Sequence, residues 1–143
     1  MSTPEDLDAI HQLKSRYFRM MDTKDWDGLA AVFTDDVVID MTGEGAGVTR
    51  SVAEYMPFLR NAIEPVLTVH HGHMPEITFT SATTATGIWA MEDKLWWPEG
   101  NPIKHLHGYG HYHETYEKQD GAWRIASSTL TRLRMDFRAP TDT

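Results

Sequence analysis

The sequence predicts an α+β protein in which helices cover one face of a mostly antiparallel sheet. Two observations indicate this class. Amphipathic helical patterns occupy the first part of the chain, and patterns typical of strands occupy the part that follows. The strand patterns do not alternate with helices, as they would in a parallel sheet built from strand–helix–strand units. We therefore expect the later strands to pair mainly with their neighbours in antiparallel fashion.

The first predicted helix begins after Thr3, a favourable N-cap that is followed by Pro4 at the first helical position. Apolar residues, with Lys14 among them, then recur at steps of three and four up to Met21, which is the pattern of an amphipathic helix. Tyr17 lies within this stripe. We therefore expect its side of the helix to face the protein interior.

Two more helices are predicted. Asp25 can cap a short second helix over residues 26–33, and Ser51 opens a third helix with a capping box. Pro57 is expected to kink or restart that third helix. The residues 43–47, which alternate glycine with Glu44 and an alanine, are interpreted as a surface loop.

Strand patterns fill the remainder, and an Asp120-Gly121 pair predicts a tight hairpin turn between the last two strands. The predicted strands cover residues 37–41, 66–73, 77–81, 84–96, 106–118 and 123–135. With 143 residues the chain fits one domain, 1–143, in which residues 138–143 form a frayed tail.

Composition narrows the function classes. The formal net charge of −8 disfavours binding to phosphate backbones and to anionic lipid, so nucleic acid is not an expected partner. No cysteine is present, which excludes disulfides and thiolate chemistry. No leader pattern and no apolar run of roughly 20 residues is found, so we expect a cytoplasmic protein without a membrane span.

Candidate acid/base residues come from the segment 68–77, which carries three histidines. Histidine can accept and return a proton near neutral pH. Strand alternation places His70 on the same face as Thr68 and opposite to His71. Tyr17, Asp22 and His70 would together suit proton abstraction next to a carbonyl, with the phenol at the oxyanion and the carboxylate on the histidine.

Other residues are candidates for the same pocket. Asp93 shares a predicted strand face with large apolar side chains, and the sequence leaves open whether it is buried or at the rim. Trp89 and Tyr109 could line a pocket for a flat or cyclic ligand, or belong to the core. Arg132 and Arg134 have equal parity on the last strand, and either could face the cavity.

A metal site is not predicted. His111, His113 and Glu117 share a strand face and formally match a spacing seen in cupin metal sites. The flanking glycines of the cupin pattern are missing, and solvent-facing histidines on an outer sheet face are the more common cause of such a spacing.

Five segments together resemble a known family: Tyr17-Phe18-Arg19-x-x-Asp22, Lys24-Asp25-Trp26, Val32-Phe33-Thr34-Asp35-Asp36, Thr68-x-His70 and Asp120-Gly121-x-Trp123-Arg124-Ile125. The chain looks like the SnoaL-like branch of the nuclear-transport-factor-2-like superfamily, and within it like the scytalone dehydratase and bile-acid 7α-dehydratase families. The resemblance covers about residues 5–137. It implies a cone-shaped α+β barrel, wrapped by three helices, with its site at the open end and no metal or other cofactor.

The resemblance also implies roles. Tyr17 matches a helix tyrosine that polarises the substrate carbonyl, Asp22 and His70 match an aspartate and histidine pair, and Asp93 falls where the bile-acid enzymes carry a further aspartate. The implied activity is a hydro-lyase that removes water from a β-hydroxy-carbonyl or vinylogous compound. Its partner would be a small hydrophobic cyclic substrate, and relatives form dimers or trimers.

Two alternatives stay open. Ketosteroid isomerase, a member of the same superfamily, uses a base aspartate at the end of the first strand, where this chain has Asp40. No clear match exists for its second, protonated aspartate. The other alternative is a non-catalytic domain that binds a small molecule in the same pocket.

Overall fold

The computed structural model describes residues 3–141, which form three α-helices and a six-stranded sheet. This confirms the predicted α+β class and the cone-shaped arrangement, with a curved sheet partly wrapped by helices. Within the described range, no helix is long and apolar enough to cross a membrane. Residues 142 and 143 of the predicted tail lie outside the described residues, and Arg138 is the last residue of a strand.

Helix α1 spans Pro4–Asp22 and begins as predicted. Thr3 Oγ1 accepts a hydrogen bond from the backbone N–H of Asp6 at 3.0 Å, and Asp6 Oδ2 accepts one from the N–H of Thr3. This reciprocal capping box satisfies two amide groups that the helix leaves free. Tyr17 is buried on the face of α1 that packs on the sheet.

The other two helices differ from their predictions. Helix α2 spans only Trp26–Ala30, because Phe33 already pairs in the first strand. Helix α3 spans Val52–Ile63 and continues through Pro57. The proline ring and Ala53, whose carbonyl loses its helical partner, are both exposed, so water can solvate that carbonyl without a break in the helix.

The sheet has the order β2-β1-β6-β5-β4-β3. Strands β1 and β6 pair in parallel, and all other neighbours pair antiparallel. The strands are β1 (Phe33–Asp40), β2 (Val48–Thr49), β3 (Leu67–Phe79), β4 (Thr84–Trp96), β5 (His105–Gln119) and β6 (Ala122–Arg138).

The two strands predicted over residues 66–73 and 77–81 are a single strand, β3. Its pairing with β4 shifts register between Gly72 and Pro75, which is where the apolar alternation of the sequence is interrupted. The shift keeps Thr68 and His70 on the inner face at one end and Ile77 on that face at the other. An irregularity in the ladder was therefore misinterpreted as a loop.

The Asp120-Gly121 turn is confirmed, since both residues have positive φ values of 51° and 79°. Between the sheet and the helices lies a core of apolar side chains that are almost fully buried: Ile10, Leu13, Leu29, Phe33, Val37 and Ile125. The space between this core and the open end of the cone remains as a cavity.

Candidate active site

A cavity of about 270 Å³ opens between α1, α3 and the inner face of the sheet. Its lining comes from both helices, from five of the strands and from the loop after β1. Most of the lining is apolar. The polar side chains that reach it are Tyr17, Asp40, Glu44, Tyr55, His70, Asp93, Tyr112, Ser128 and Arg132.

His70 and Asp22 form a hydrogen-bonded pair at this cavity. His70 Nδ1 lies 2.7 Å from Asp22 Oδ1, and the backbone N–H of His70 donates to Asp22 Oδ2 at 2.8 Å. A carboxylate can only accept, so Nδ1 carries a proton, and in the neutral imidazole Nε2 then keeps the lone pair. Asp22 can accept both hydrogen bonds because it is the last residue of α1 and lies directly beside β3.

Asp93 is the cross-strand neighbour of His70 and is buried, with 3% of its surface exposed. This answers the question that the sequence left open. Asp93 Oδ2 stands 3.9 Å from His70 Nε2, beyond hydrogen-bonding distance but close enough to stabilise a positive charge on the imidazole.

Arg132 holds Asp93 in place with two hydrogen bonds, from Nη1 to Oδ1 at 2.6 Å and from Nη2 to Oδ2 at 3.0 Å. Its Nε donates to Glu44 Oε1 at 2.8 Å. Burial opposes the charge of the guanidinium, but the interactions with Asp93 and Glu44 outweigh it, so the pKa of Arg132 is raised above its ordinary value.

The choice between Arg132 and Arg134 is decided by a β-bulge. Gly110 of β5 pairs with Arg132 and Tyr109 pairs with Arg134, which leaves Leu133 as an extra residue in β6. The bulge inverts the alternation, so residues of equal parity point to opposite faces. Arg134 is exposed and pairs with Asp136 at 2.8 Å.

Tyr17 lines the cavity and is 7% exposed. Burial raises the pKa of Tyr17 well above its usual value, and nearby tyrosines and Glu114 add to the shift. Burial also raises the pKa of Tyr55 and of Tyr112, which line the same cavity. These phenols therefore stay protonated at neutral pH and can donate hydrogen bonds to a ligand.

Asp40 also reaches the cavity, at the end of β1. Its Oδ1 accepts hydrogen bonds from the Thr42 hydroxyl at 2.6 Å and from the Thr42 N–H at 2.9 Å. These bonds lower the pKa of Asp40. The carboxylate is consequently a weaker base than an ordinary aspartate.

Three residues expected at the pocket are placed elsewhere, which corrects their predicted role as lining residues. Trp89 is buried in the core, where its indole N–H donates to Tyr116 at 2.8 Å. Tyr109 lies on the outer sheet face and stacks on His107 with ring centroids 4.4 Å apart. Arg134 is on the outer face as well, because of the bulge.

Several lining residues were missed from the sequence. Glu44 was assigned to a plain surface loop, and nothing local to residues 43–47 indicates its contact with Arg132. Tyr112 and Ser128 lie on the inner faces of β5 and β6. Strand alternation puts Tyr112 on the face opposite to its histidine neighbours, so an outer-face position for these histidines predicts an inner position for Tyr112.

No group of three or more His, Asp or Glu side chains that could hold a metal ion is found among residues 3–141. The histidines considered for a metal site lie along the outer face of β5. There His113 Nε2 is 3.0 Å from Thr131 Oγ1.

Comparisons with known proteins agree with this architecture. The chain is 25% identical over 140 residues to the "Probable cyclase FGR4" of Gibberella zeae, with 92% of this chain and 93% of that protein covered. Its fold is similar to a hexachlorocyclohexane dehydrochlorinase (LinA type 2), with a TM-score of 0.84, 23% identity, and coverage of 97% and 93% of the two chains.

A proposed scytalone dehydratase from Novosphingobium aromaticivorans is similar to the same degree, with a TM-score of 0.83, 23% identity, and coverage of 94% and 90%. The family model of the SnoaL-like domain matches residues 2–129, which is most of the 143 residues. The chain therefore belongs to the SnoaL-like domain family.

Proposed function

We propose that this protein is a cofactor-independent lyase that eliminates water from a β-hydroxy-carbonyl, or vinylogous, cyclic substrate. The observation that carries the proposal is the hydrogen bond between His70 and Asp22 at a largely apolar cavity, with the free Nε2 of His70 near Asp93. Among the relatives, a dehydrochlorinase and a proposed dehydratase are both named for eliminations, which supports this reaction class.

In the proposed reaction His70 Nε2 removes the proton from the carbon next to the carbonyl. Asp22 holds the imidazole in the required tautomer, and Tyr17 donates a hydrogen bond to the developing oxyanion. The imidazolium then protonates the hydroxyl on the β-carbon. The C–O bond breaks, the C=C bond forms and water leaves, so His70 returns to its starting state.

Asp93 would stabilise the imidazolium during that step. Because Arg132 binds both oxygens of Asp93, the carboxylate is held at a fixed position rather than free to bind the substrate. Glu44 in turn anchors the loop after β1 to Arg132. In this interpretation Arg132 and Glu44 are positioning residues.

Charge narrows the substrate class. Asp22, Asp40, Glu44 and Asp93 carry four negative charges around the cavity, and Arg132, which faces it, is already shared by two of them. A substrate carboxylate would therefore find repulsion rather than a free cation. We propose a neutral, hydrophobic cyclic substrate.

The test is turnover of a panel of neutral cyclic β-hydroxy ketones by wild-type protein, H70Q and Y17F. Loss of the acid/base group is expected to slow turnover by about two to four decades. Loss of one oxyanion donor costs about 2.7 to 4 kcal/mol of barrier, so Y17F is expected to be slower by roughly two to three decades. A Y17F protein that turns over at the wild-type rate would remove Tyr17 from the proposed mechanism.

D40N separates the proposal from an isomerase. The lowered pKa of Asp40 makes it a poor base, so D40N is expected to retain most of the dehydratase activity. If D40N were inactive while H70Q retained activity, the isomerase mechanism would replace the proposed one. A protein that binds the panel tightly without converting any member would indicate a binding domain.

A dimer or trimer remains a prediction. Two large apolar side chains toward the end of β6 are exposed, Leu133 at 76% and Phe137 at 53%, which supports association through this part of the strand. Light scattering coupled to size-exclusion chromatography would give the oligomeric state.

A further inference from the structure

Lys24 lies in the turn that follows α1 and has a φ of +61°, in the left-handed region that few non-glycine residues adopt. The turn is closed by hydrogen bonds from Lys24 N to Met21 O at 3.2 Å and from Asp25 N to Met20 O at 2.9 Å. The Lys24 side chain extends from this turn to strand β3.

At β3 the side chain of Lys24 begins a chain of three hydrogen bonds. Lys24 Nζ lies 2.9 Å from Thr68 Oγ1, Thr68 Oγ1 lies 2.9 Å from Asp22 Oδ1, and Asp22 Oδ1 lies 2.7 Å from His70 Nδ1. An ammonium group can only donate, so the Thr68 oxygen accepts from Lys24. The single hydroxyl proton of Thr68 is then directed at Asp22.

Thr68 is 1% exposed, so bulk water cannot take the place of either neighbour. We propose that Lys24 is a positioning residue that, through Thr68, fixes Asp22 as the acceptor for His70 Nδ1 and limits the affinity of the imidazole for a second proton. This inference rests on the proposed function only in taking His70 as the acid/base group.

The direction of the effect follows from the charges that surround His70. Asp22 at the end of α1 and Asp93 on β4 favour a protonated imidazole, whereas Lys24 and Arg132 on β6 oppose it. Removal of the Lys24 ammonium leaves less positive charge to offset the negative charges of the two carboxylates. It also removes the donor that directs the Thr68 hydroxyl to Asp22, and both changes favour the imidazolium.

The experiment is an NMR titration of the histidine ring resonances, which needs no substrate. H70Q identifies the His70 signal among the eight histidines. We expect the midpoint of that signal to move to higher pH by about half a unit to one unit in K24M. K24R keeps the charge and a donor, so its midpoint is expected close to the wild-type one.

The matched control is K94M, which removes the same charge next to Asp93 in the chain. Lys94 pairs with Val69 on the strand face opposite to that of Asp93 and His70, so its removal is expected to have less than half the effect of K24M. A thermal melt of each variant shows whether it is folded.

T68V tests the route through the hydroxyl. If Lys24 acts through Thr68, K24M in the T68V background is expected to move the midpoint by less than half as much as in the wild-type background. An unchanged midpoint in K24M, an equal shift in K94M, or a full shift in the T68V background would each overturn the inference. Because turnover is not measured, these outcomes are independent of whether the proposed elimination is correct.

Discussion

Two groups of charges in this protein differ in their access to solvent and ligands. The buried pair is formed by Lys14 and Glu114, whose side chains have no exposed surface and are joined at 2.8 Å. The cavity cluster is formed by Asp22, His70, Asp93 and Arg132, at the edge of an open cavity. Ser128 links the two groups, since it lines the cavity and donates to Glu114 at 2.8 Å.

The buried pair has all its partners inside the protein. Besides Lys14 and Ser128, Glu114 accepts a hydrogen bond from Tyr116 at 2.9 Å. The Lys14 ammonium stands 3.8 Å from the ring centroid of Tyr17 and 3.7 Å from that of Tyr112. Burial lowers the pKa of Lys14, while the charge and hydrogen bond of Glu114 counteract that shift.

The difference between the groups shows what access contributes. The charges of the buried pair fix the positions of the tyrosine rings that they contact. Because no ligand can reach them, they can exchange no proton with one. The cavity cluster leaves one nitrogen, His70 Nε2, without a hydrogen bond partner among residues 3–141, and that atom faces Asp93 near the cavity. We infer that the buried pair contributes structure and that the cavity cluster carries the chemistry.

The largest expected effect is on stability, in K14M. This change leaves Glu114 as an uncompensated buried charge, and loss of one partner of a buried ion pair costs about 3 to 5 kcal/mol. Urea denaturation would measure the free energy of unfolding. The double variant K14M/E114Q is expected to recover part of the loss, and a loss below about 1 kcal/mol in K14M would contradict the structural role of the pair.

A smaller effect is expected in G108A, which acts on the cavity cluster. A Cβ at Gly108 would overlap the Arg132 guanidinium and the Asp93 carboxylate, so the ion pair must shift. Overpacking of this kind costs about 1 to 3 kcal/mol. We expect a lower melting temperature and slower turnover of the substrate panel.

The matched control for G108A is G47A. A Cβ added at Gly47 would have no neighbouring atom within 4 Å, and Gly47 is not among the glycines with positive φ, so the added methyl group meets open space. The free energy of unfolding of G47A is expected to stay within about 0.5 kcal/mol of the wild-type value. If G108A and G47A changed the free energy of unfolding equally, the contact of the added methyl group with Arg132 and Asp93 could not be the cause of the effect.

The smallest effect is confined to acid pH and concerns Asp6, a third charge at the far end of α1. Hydrogen bonds from Trp123 at 2.9 Å and Lys118 at 3.0 Å lower the pKa of Asp6. A carboxyl group with a lowered pKa stabilises the folded state above its unfolded pKa of about 3.9 and loses that contribution as the pH falls further.

We therefore expect D6N to reduce the pH dependence of stability below about pH 4, measured as the slope of melting temperature against pH. Asp36 is exposed on β1, and D36N serves as the control with an unchanged slope. The same slope in wild-type protein and D6N would contradict the contribution assigned to Asp6.

Local signals in the sequence were enough for the helix starts, the hairpin turn and the placement of Thr68 and His70 on one face. Each of these depends on contacts between residues close in the chain, such as the capping box of Thr3 and Asp6. The pairing of Asp22 with His70 came from the family resemblance and was not visible in the periodicity. Lys14 in the apolar stripe of α1 was the one signal for the buried pair.

By itself the sequence determined the α+β class, the order of the helices and strands, and the residue types from which a site could be built. Only the tertiary structure decided that Arg132 and not Arg134 binds Asp93, because the bulge at Leu133 inverts which side of the sheet each side chain faces. It also decided that Lys24 reaches Thr68, across 44 positions of the chain. The physical reason is that periodicity describes a side chain relative to its own strand or helix, whereas register and packing between elements determine which side chains meet.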